Sequence, residues 1–207
     1  MNKSATAQAH AYVEMKNINK TFGTVHANKD VNFAIHKGEI HALLGENGSG
    51  KSTLVSMLSG EYSPDSGAIY IDGKEVVFSS PKDAINAGIG IVHQHFKLVD
   101  VLSAKENIVM GRKAGFIHSK ELSGQIKEIA DRYGLAVDPD KKVYQMSVGE
   151  QQTVEILKML YRNADVLILD EPTAVLTPQE IKRLFEILNR MKAEGCACLL
   201  YTSSLGL

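Results

Sequence analysis

The stretch GENGSGKST, from Gly45 to Thr53, sets Gly45, Gly50, Lys51 and Ser52 at the spacing G-x-x-x-x-G-K-[ST]. Glycines there let successive backbone N–H groups converge on phosphate oxygens. A helix that follows adds its positive end. Lys51 is expected against the β- and γ-phosphates of a nucleoside triphosphate, and Ser52 on a magnesium ion. Glu46, Asn47, Gly48, Ser49 and Thr53 complete the loop.

A second acidic motif fits the same chemistry. DVLILDE is an apolar run closed by Asp170 and Glu171. Asp170 is expected to reach the metal shell, directly or through water. Glu171 is placed to polarise an attacking water as general base. Such a pair is weak evidence alone. Beside the Lys51 loop it is strong, because both motifs fall on one edge of a parallel sheet. Gln94, at the end of GIGIVHQ, is expected on that edge as well. SVGEQQ, from Ser147, opens a helix upstream of DVLILDE and forms another anion-binding arrangement. The Lys51 loop already encloses its own phosphates. A second phosphate-contacting element therefore implies a second site and a partner domain.

The elements that position these motifs can be read from periodicity. Val31, Phe33 and Ile35 alternate with polar residues, as in a half-exposed strand. EIHALLG reads as a short buried strand leading into the glycine loop. AIYIDGKEVVF reads as two strands around the turn Asp72-Gly73. GIGIVHQ, Gly88 to Gln94, reads as a core strand, and DVLILD as a buried parallel strand. Leu122, Ile126, Ile129, Ala130 and Tyr133 share one helical face, as do Val154, Leu157, Leu160 and Tyr161. Thr177 and Glu180 form a capping box with Pro178 at the first helical position, and Gly195 ends that helix. CACLLYT is then apolar enough for a further strand.

Composition sets bounds. The chain has 207 residues, enough for one full domain with a subdomain. Lys and Arg number 23 and Asp and Glu 24, so a formal charge of -1 gives no general pull toward nucleic acid or anionic lipid. No apolar run approaches the roughly 18–20 residues of a membrane span, and MNKSATAQAHAYVEM holds no signal core. A cytoplasmic protein is expected. Cys196 and Cys198 are the only cysteines, so the body of the chain holds no thiol ligands.

Together, GENGSGKST, Gln94, SVGEQQ and DVLILDEPTAVLTPQE resemble the ATP-binding domains of ABC transporters. The wording is closest to importers of simple sugars and nucleosides, in which valine commonly holds the second signature position, as Val148 does here. IVHQHFKLVDVLSAKENIVMG looks particularly like the nucleoside branch. The likeness covers residues 11–195, preceded by a loose N-terminus at 1–10. It implies an α/β P-loop NTPase fold with a mostly parallel core sheet, an antiparallel β subdomain and an inserted helical subdomain at about 97–160.

The resemblance also implies roles. Phe22 would stack on adenine, with Tyr12 as another candidate ring. Gly45 to Thr53 would bind the phosphates of ATP, and Gln94 would link magnesium and the attacking water to the transmembrane contact. Ser147, Val148, Gly149 and Glu150 would close over ATP held by an opposing domain. Asp170 would organise Mg2+ and Glu171 would be the catalytic base. The residues from Ala174 to Leu176 would cross the dimer seam. The implied partners are a second ATPase domain, in the same longer chain or in a dimer mate, and transmembrane permease subunits at the cytoplasmic face of the membrane. An extracytoplasmic solute-binding protein takes part indirectly. No nucleic-acid partner is expected.

The chain departs from this pattern twice. Met146 replaces the usual leucine before the signature, a swap between flexible apolar fillers. Ser203 holds the position after Thr202 where the family places a histidine on the γ-phosphate. CLLYTS, Cys198 to Ser203, also resembles the translation of a transposon-end adapter used to prepare sequencing libraries. Residues 196–207 are therefore expected to be foreign to the gene, and the chain to be a truncated first domain of a tandem ATPase. Two other readings stand beside the importer. One is a nucleotide-binding module without turnover; the other is a non-transport ABC ATPase, which would need a coiled insertion or basic linker absent from this span.

Overall fold

The computed structural model describes residues 11–111 and 119–202. The expected loose N-terminus at 1–10 and the Ser203 position lie outside the described residues. Two four-stranded sheets form the frame. The first is antiparallel, in the order β2-β1-β4-β5, from β1 (Val13–Phe22), β2 (Val25–Ile35), β4 (Ser66–Ile71) and β5 (Lys74–Val76). The second is parallel, in the order β3-β8-β7-β6, from β3 (Ile40–Leu44), β6 (Ile89–Val92), β7 (Val166–Asp170) and β8 (Ala197–Thr202). The antiparallel subdomain and the parallel core are both as the P-loop NTPase resemblance implies.

The alternating pattern of Val31, Phe33 and Ile35 produces a strand in which Lys29, Asp30 and Asn32 face water, paired to β1 in register Val13↔Ile35. The Asp72-Gly73 hairpin also forms, and both residues have the positive φ that a tight two-residue turn demands. β7 is buried along its apolar length because it lies between β6 and β8 and is covered on both faces.

β3 is a correction. EIHALLG reads as buried, yet β3 alternates between half-buried and exposed, and Leu44 is 52% exposed. β3 is an edge strand: among the described residues only β8 pairs with it. Gln94 needs a smaller correction, since β6 stops at Val92 and Gln94 lies just beyond, in a bend.

Helices fill the remaining layers. α1 (Lys51–Leu58) follows the glycine loop and packs Leu54, Val55, Met57 and Leu58 into the core. α2 (Pro81–Asn86) precedes β6. α3 (Ala104–Val109), α4 (Ser119–Tyr133) and α5 (Val148–Tyr161) pack together, with Ile108, Ile126 and Leu157 fully buried. α6 (Pro178–Ala193) starts at the expected Thr177–Glu180 capping box, and Gly195 at φ 87° follows its end.

Candidate nucleotide site

The turn between β3 and α1 is built by its glycines. Gly50 caps α1 in the left-handed region at φ 87°, and a Cβ there would lie 2.2 Å from the Ala27 carbonyl oxygen. Only glycine lets the loop lie this close to β2. Asn28, beside Ala27, donates from Nδ2 to the Gly50 carbonyl at 3.3 Å and supports the loop from beneath. Lys51 folds back over it, donating from Nζ to the Gly45 carbonyl at 2.6 Å, the Glu46 carbonyl at 2.8 Å and Ser49 Oγ at 3.4 Å. The ammonium thus sits at the centre of a ring of loop atoms, beside the N-terminus of α1. A phosphate arriving there meets a fixed cation and a helix dipole.

Above the loop opens a cleft of about 510 Å³. Its walls bring together Asn47, Gly48, Gly50, Lys51, Ser52, Thr53, Gln94, Asp170 and Glu171. These residues come from three separate stretches of sequence, and the C-terminal edge of the parallel sheet collects them. Gln94 donates from Nε2 to Glu171 Oε2 at 3.4 Å, so the bend after β6 and the end of β7 meet across the cleft. Glu171 leaves β7 with φ 43°, a left-handed conformation uncommon for a residue with a Cβ. Its N–H donates to the Tyr201 carbonyl at 3.0 Å, which fixes that turn.

The donor set fits magnesium held jointly with a nucleotide. Among the described residues no cluster of three or more His, Cys, Asp or Glu could cage a metal. The cleft instead offers the Ser52 hydroxyl, the Gln94 amide and the Asp170 carboxylate. Magnesium characteristically takes one or two protein carboxylates and completes its shell with phosphate oxygens and water.

Other expected residues lie elsewhere. Ser147, Gly149 and Glu150 line a separate cavity of about 160 Å³ with Glu180 and Arg183. Ser147 caps α5 and Glu150 closes the box, its Oε2 accepting from the Ser147 N–H at 2.8 Å. Lys141 pairs with the same carboxylate at 2.7 Å. Val148 is exposed and turned outward. The signature therefore does not contribute to the Lys51 cleft of its own chain. Phe22 is 43% exposed, with its ring 5.3 Å from that of Tyr62, and Val25 and His26 of the same hairpin line the cleft. Tyr12 is unavailable for stacking: it is buried, and its hydroxyl donates to Asp165 Oδ2 at the opposite end of β7.

The sequence reading missed several neighbours. His93 lines the cleft beside Gln94, and burial with Lys97 nearby keeps its imidazole below the usual histidine range. Tyr201 lines it as well. Burial, with the Asp170 carboxylate alongside, pushes its phenol well above the ordinary tyrosine value. Gln152, buried on α5, donates to the Pro172 carbonyl at 3.0 Å, next to Glu171. A polar residue on the apolar face of a helical pattern was the available signal for Gln152.

Comparison with known proteins agrees with this geometry. The protein-family model for the ABC transporter matches residues 28–174. The guanosine import ATP-binding protein NupO of Bacillus subtilis is 52% identical over 88% of this chain and 36% of its own length. The nucleoside import ATP-binding protein NupA of Lactococcus lactis is 50% identical over 93% of this chain and 39% of its own. The chain thus spans less than half the length of these relatives. Among solved structures, the ADP conformation of MJ1267, an ATP-binding cassette of an ABC transporter, superposes with a TM-score of 0.84 at 25% identity, covering 95% of this chain and 82% of the other. The likeness joins the glycine loop, the acidic strand end and the two-sheet frame in one fold, and the chain belongs to the ABC transporter family.

Proposed function

We propose that the chain is the ATP-binding and hydrolysing part of an importer for nucleosides or simple sugars, working at the cytoplasmic face of the membrane beside permease subunits. The observation that carries this is the cleft in which Lys51, Ser52, Gln94, Asp170 and Glu171 converge. The names of NupO, NupA and the ribose and arabinose import proteins among its relatives support the solute class. No helix among the described residues is long and apolar enough to cross a membrane, so solute passage is assigned to partner subunits.

In this mechanism the loop N–H groups and Lys51 bind the β- and γ-phosphates and offset charge that develops on the γ-phosphoryl oxygens. Ser52 and Asp170, with Gln94, would hold Mg2+, which would supply further neutralisation of phosphate charge. Glu171 orients the attacking water and takes its proton. The Gln94 amide, 3.4 Å from that carboxylate, keeps it aimed across the cleft. Phe22 presents the ring for adenine. Ser147 to Glu150 serve the ATP of an opposing ATPase domain, which is why they stand apart from Lys51. A solute-binding protein outside the membrane selects cargo without touching this chain.

Phosphate release from Mg-ATP, compared between the chain and Glu171→Gln, tests the proposal. Turnover should fall about 10²- to 10⁴-fold, the usual worth of a general base, while ATP still binds. Equal rates would refute the role of Glu171. The second reading, nucleotide binding without turnover, is favoured by Tyr201, which stands beside Asp170 in the β7–β8 register and lines the same cleft. Bound ATP with no phosphate released from either protein would select it.

A further inference from the structure

The signature turn is held by a side chain from another element. Glu180 begins α6, where its Oε2 accepts from the N–H and Oγ1 of Thr177, both at 2.9 Å. Its other oxygen reaches across to α5: a Cβ built on Gly149 would lie 2.6 Å from Glu180 Oε1. The Gly149 N–H lies beside this carboxylate, in the cavity both residues line, and helps lower its pKa after the dominant contribution of Thr177. Gly149 lies in the first turn of α5, where orphan N–H groups and the helix dipole favour an anion. An anion is already there, supplied by the same chain.

We propose that Glu180 is a resident anion on the signature turn, which the triphosphate carried by an opposing domain must displace for the two domains to close. This rests on the reading of Ser147–Glu150 as a partner-facing phosphate site. A backbone amide has a single proton to donate, so Gly149 serves the carboxylate or the incoming γ-phosphate at full strength, not both. Like charge between carboxylate and phosphate adds to the competition. Displacement has a route back to the chain's own site. The segment from Pro172 to Glu180 meets α5 at both ends, by the Gln152 hydrogen bond to the Pro172 carbonyl and by the close approach of Glu180 Oε1 to Gly149. Releasing the Gly149 end leaves the Pro172 end, adjacent to Glu171, as the pivot. Glu180 is thus a positioning residue that delays closure until phosphate arrives.

The test is ATP-driven self-association of the full chain, followed by light scattering against Mg-ATP concentration in a Glu171→Gln background that preserves the nucleotide. Adding Glu180→Gln retains an oxygen for the Thr177 cap and removes the charge. The midpoint should move to about two- to fivefold lower ATP, the worth of one charge at a helix N-terminus. Thr177→Val removes the hydroxyl donor to Glu180 Oε2 and keeps the carboxylate charge and its Oε1 beside Gly149, so it should lower the melting temperature and leave the midpoint in place. Ser147→Arg controls for the underlying reading and should abolish association. If association is absent at the outset or survives Ser147→Arg, the signature reading fails and this proposal with it. If Ser147→Arg abolishes association while Glu180→Gln leaves the midpoint unchanged or raises it, the Glu180 proposal alone is overturned.

Discussion

The side-chain amide of Gln152 donates to the carbonyl of Pro172 at 3.0 Å, tying the signature helix to the residue that follows Glu171. Gln152 is buried, so this bond is shielded from water. Replacement by leucine keeps the apolar packing of α5 and orphans the Pro172 carbonyl, at a cost of about 1–3 kcal/mol. Urea unfolding should register that loss. Phosphate release should slow while ATP affinity changes little, because Gln152 does not line the cleft. Loss of stability with unchanged turnover would reduce Gln152 to a packing role.

Tyr201 makes a second prediction. It pairs with Asp170 in the β7–β8 register and lines the cleft with it, beside the carboxylate that the proposed mechanism assigns to magnesium. Tyr201→Phe preserves the buried ring and removes the hydroxyl. Mg-ATP affinity should rise about fivefold, the worth of a hydrogen bond near 1 kcal/mol. Unchanged affinity, measured by calorimetry, would show that the phenol does not compete with the metal.

Acid stability depends on Glu106. It closes a capping box at the start of α3, accepting from the Ser103 N–H and Oγ and from Lys142. The Ser103 N–H, then the Ser103 hydroxyl and Lys142, hold its carboxyl down at about 2, against 4.5 without them. A folded-state value below the unfolded one stabilises the protein above pH 4.5, and the benefit is lost as pH falls from 4.5 through 2. Glu106→Gln should therefore be the less stable protein at neutral pH, with the gap to the parent narrowing across that window. A gap independent of pH would contradict the assignment. Glu106 is well exposed, so salt should shrink the effect.

The glycine loop, the acidic strand end and the Thr177–Glu180 box were legible because each is local: residue type and spacing define it within a few positions. The edge placement of β3 was not legible, since an apolar run reads the same at a sheet edge as at its centre. The bond of Gln152 to Pro172 and the approach of Glu180 to Gly149 escaped for a related reason. Each reaches a backbone group of another element, and only packing of α5 against the segment after β7 brings those groups together. β8 carries a different lesson. Its strand forms between β3 and β7 with every residue buried, as an apolar, β-prone string of any origin would. Tyr201 against Asp170 is the feature that sets the strand apart.

On the proposed function, the Lys51 cleft binds the phosphates of ATP. Calorimetric titration of the chain with Mg-ATP, beside Lys51→Ala, tests it most directly. The account predicts saturable binding by the chain and at least about a tenfold loss in Lys51→Ala, the worth of one charge-assisted contact of 1.5–3 kcal/mol. Equal affinity of the two proteins for Mg-ATP would contradict it.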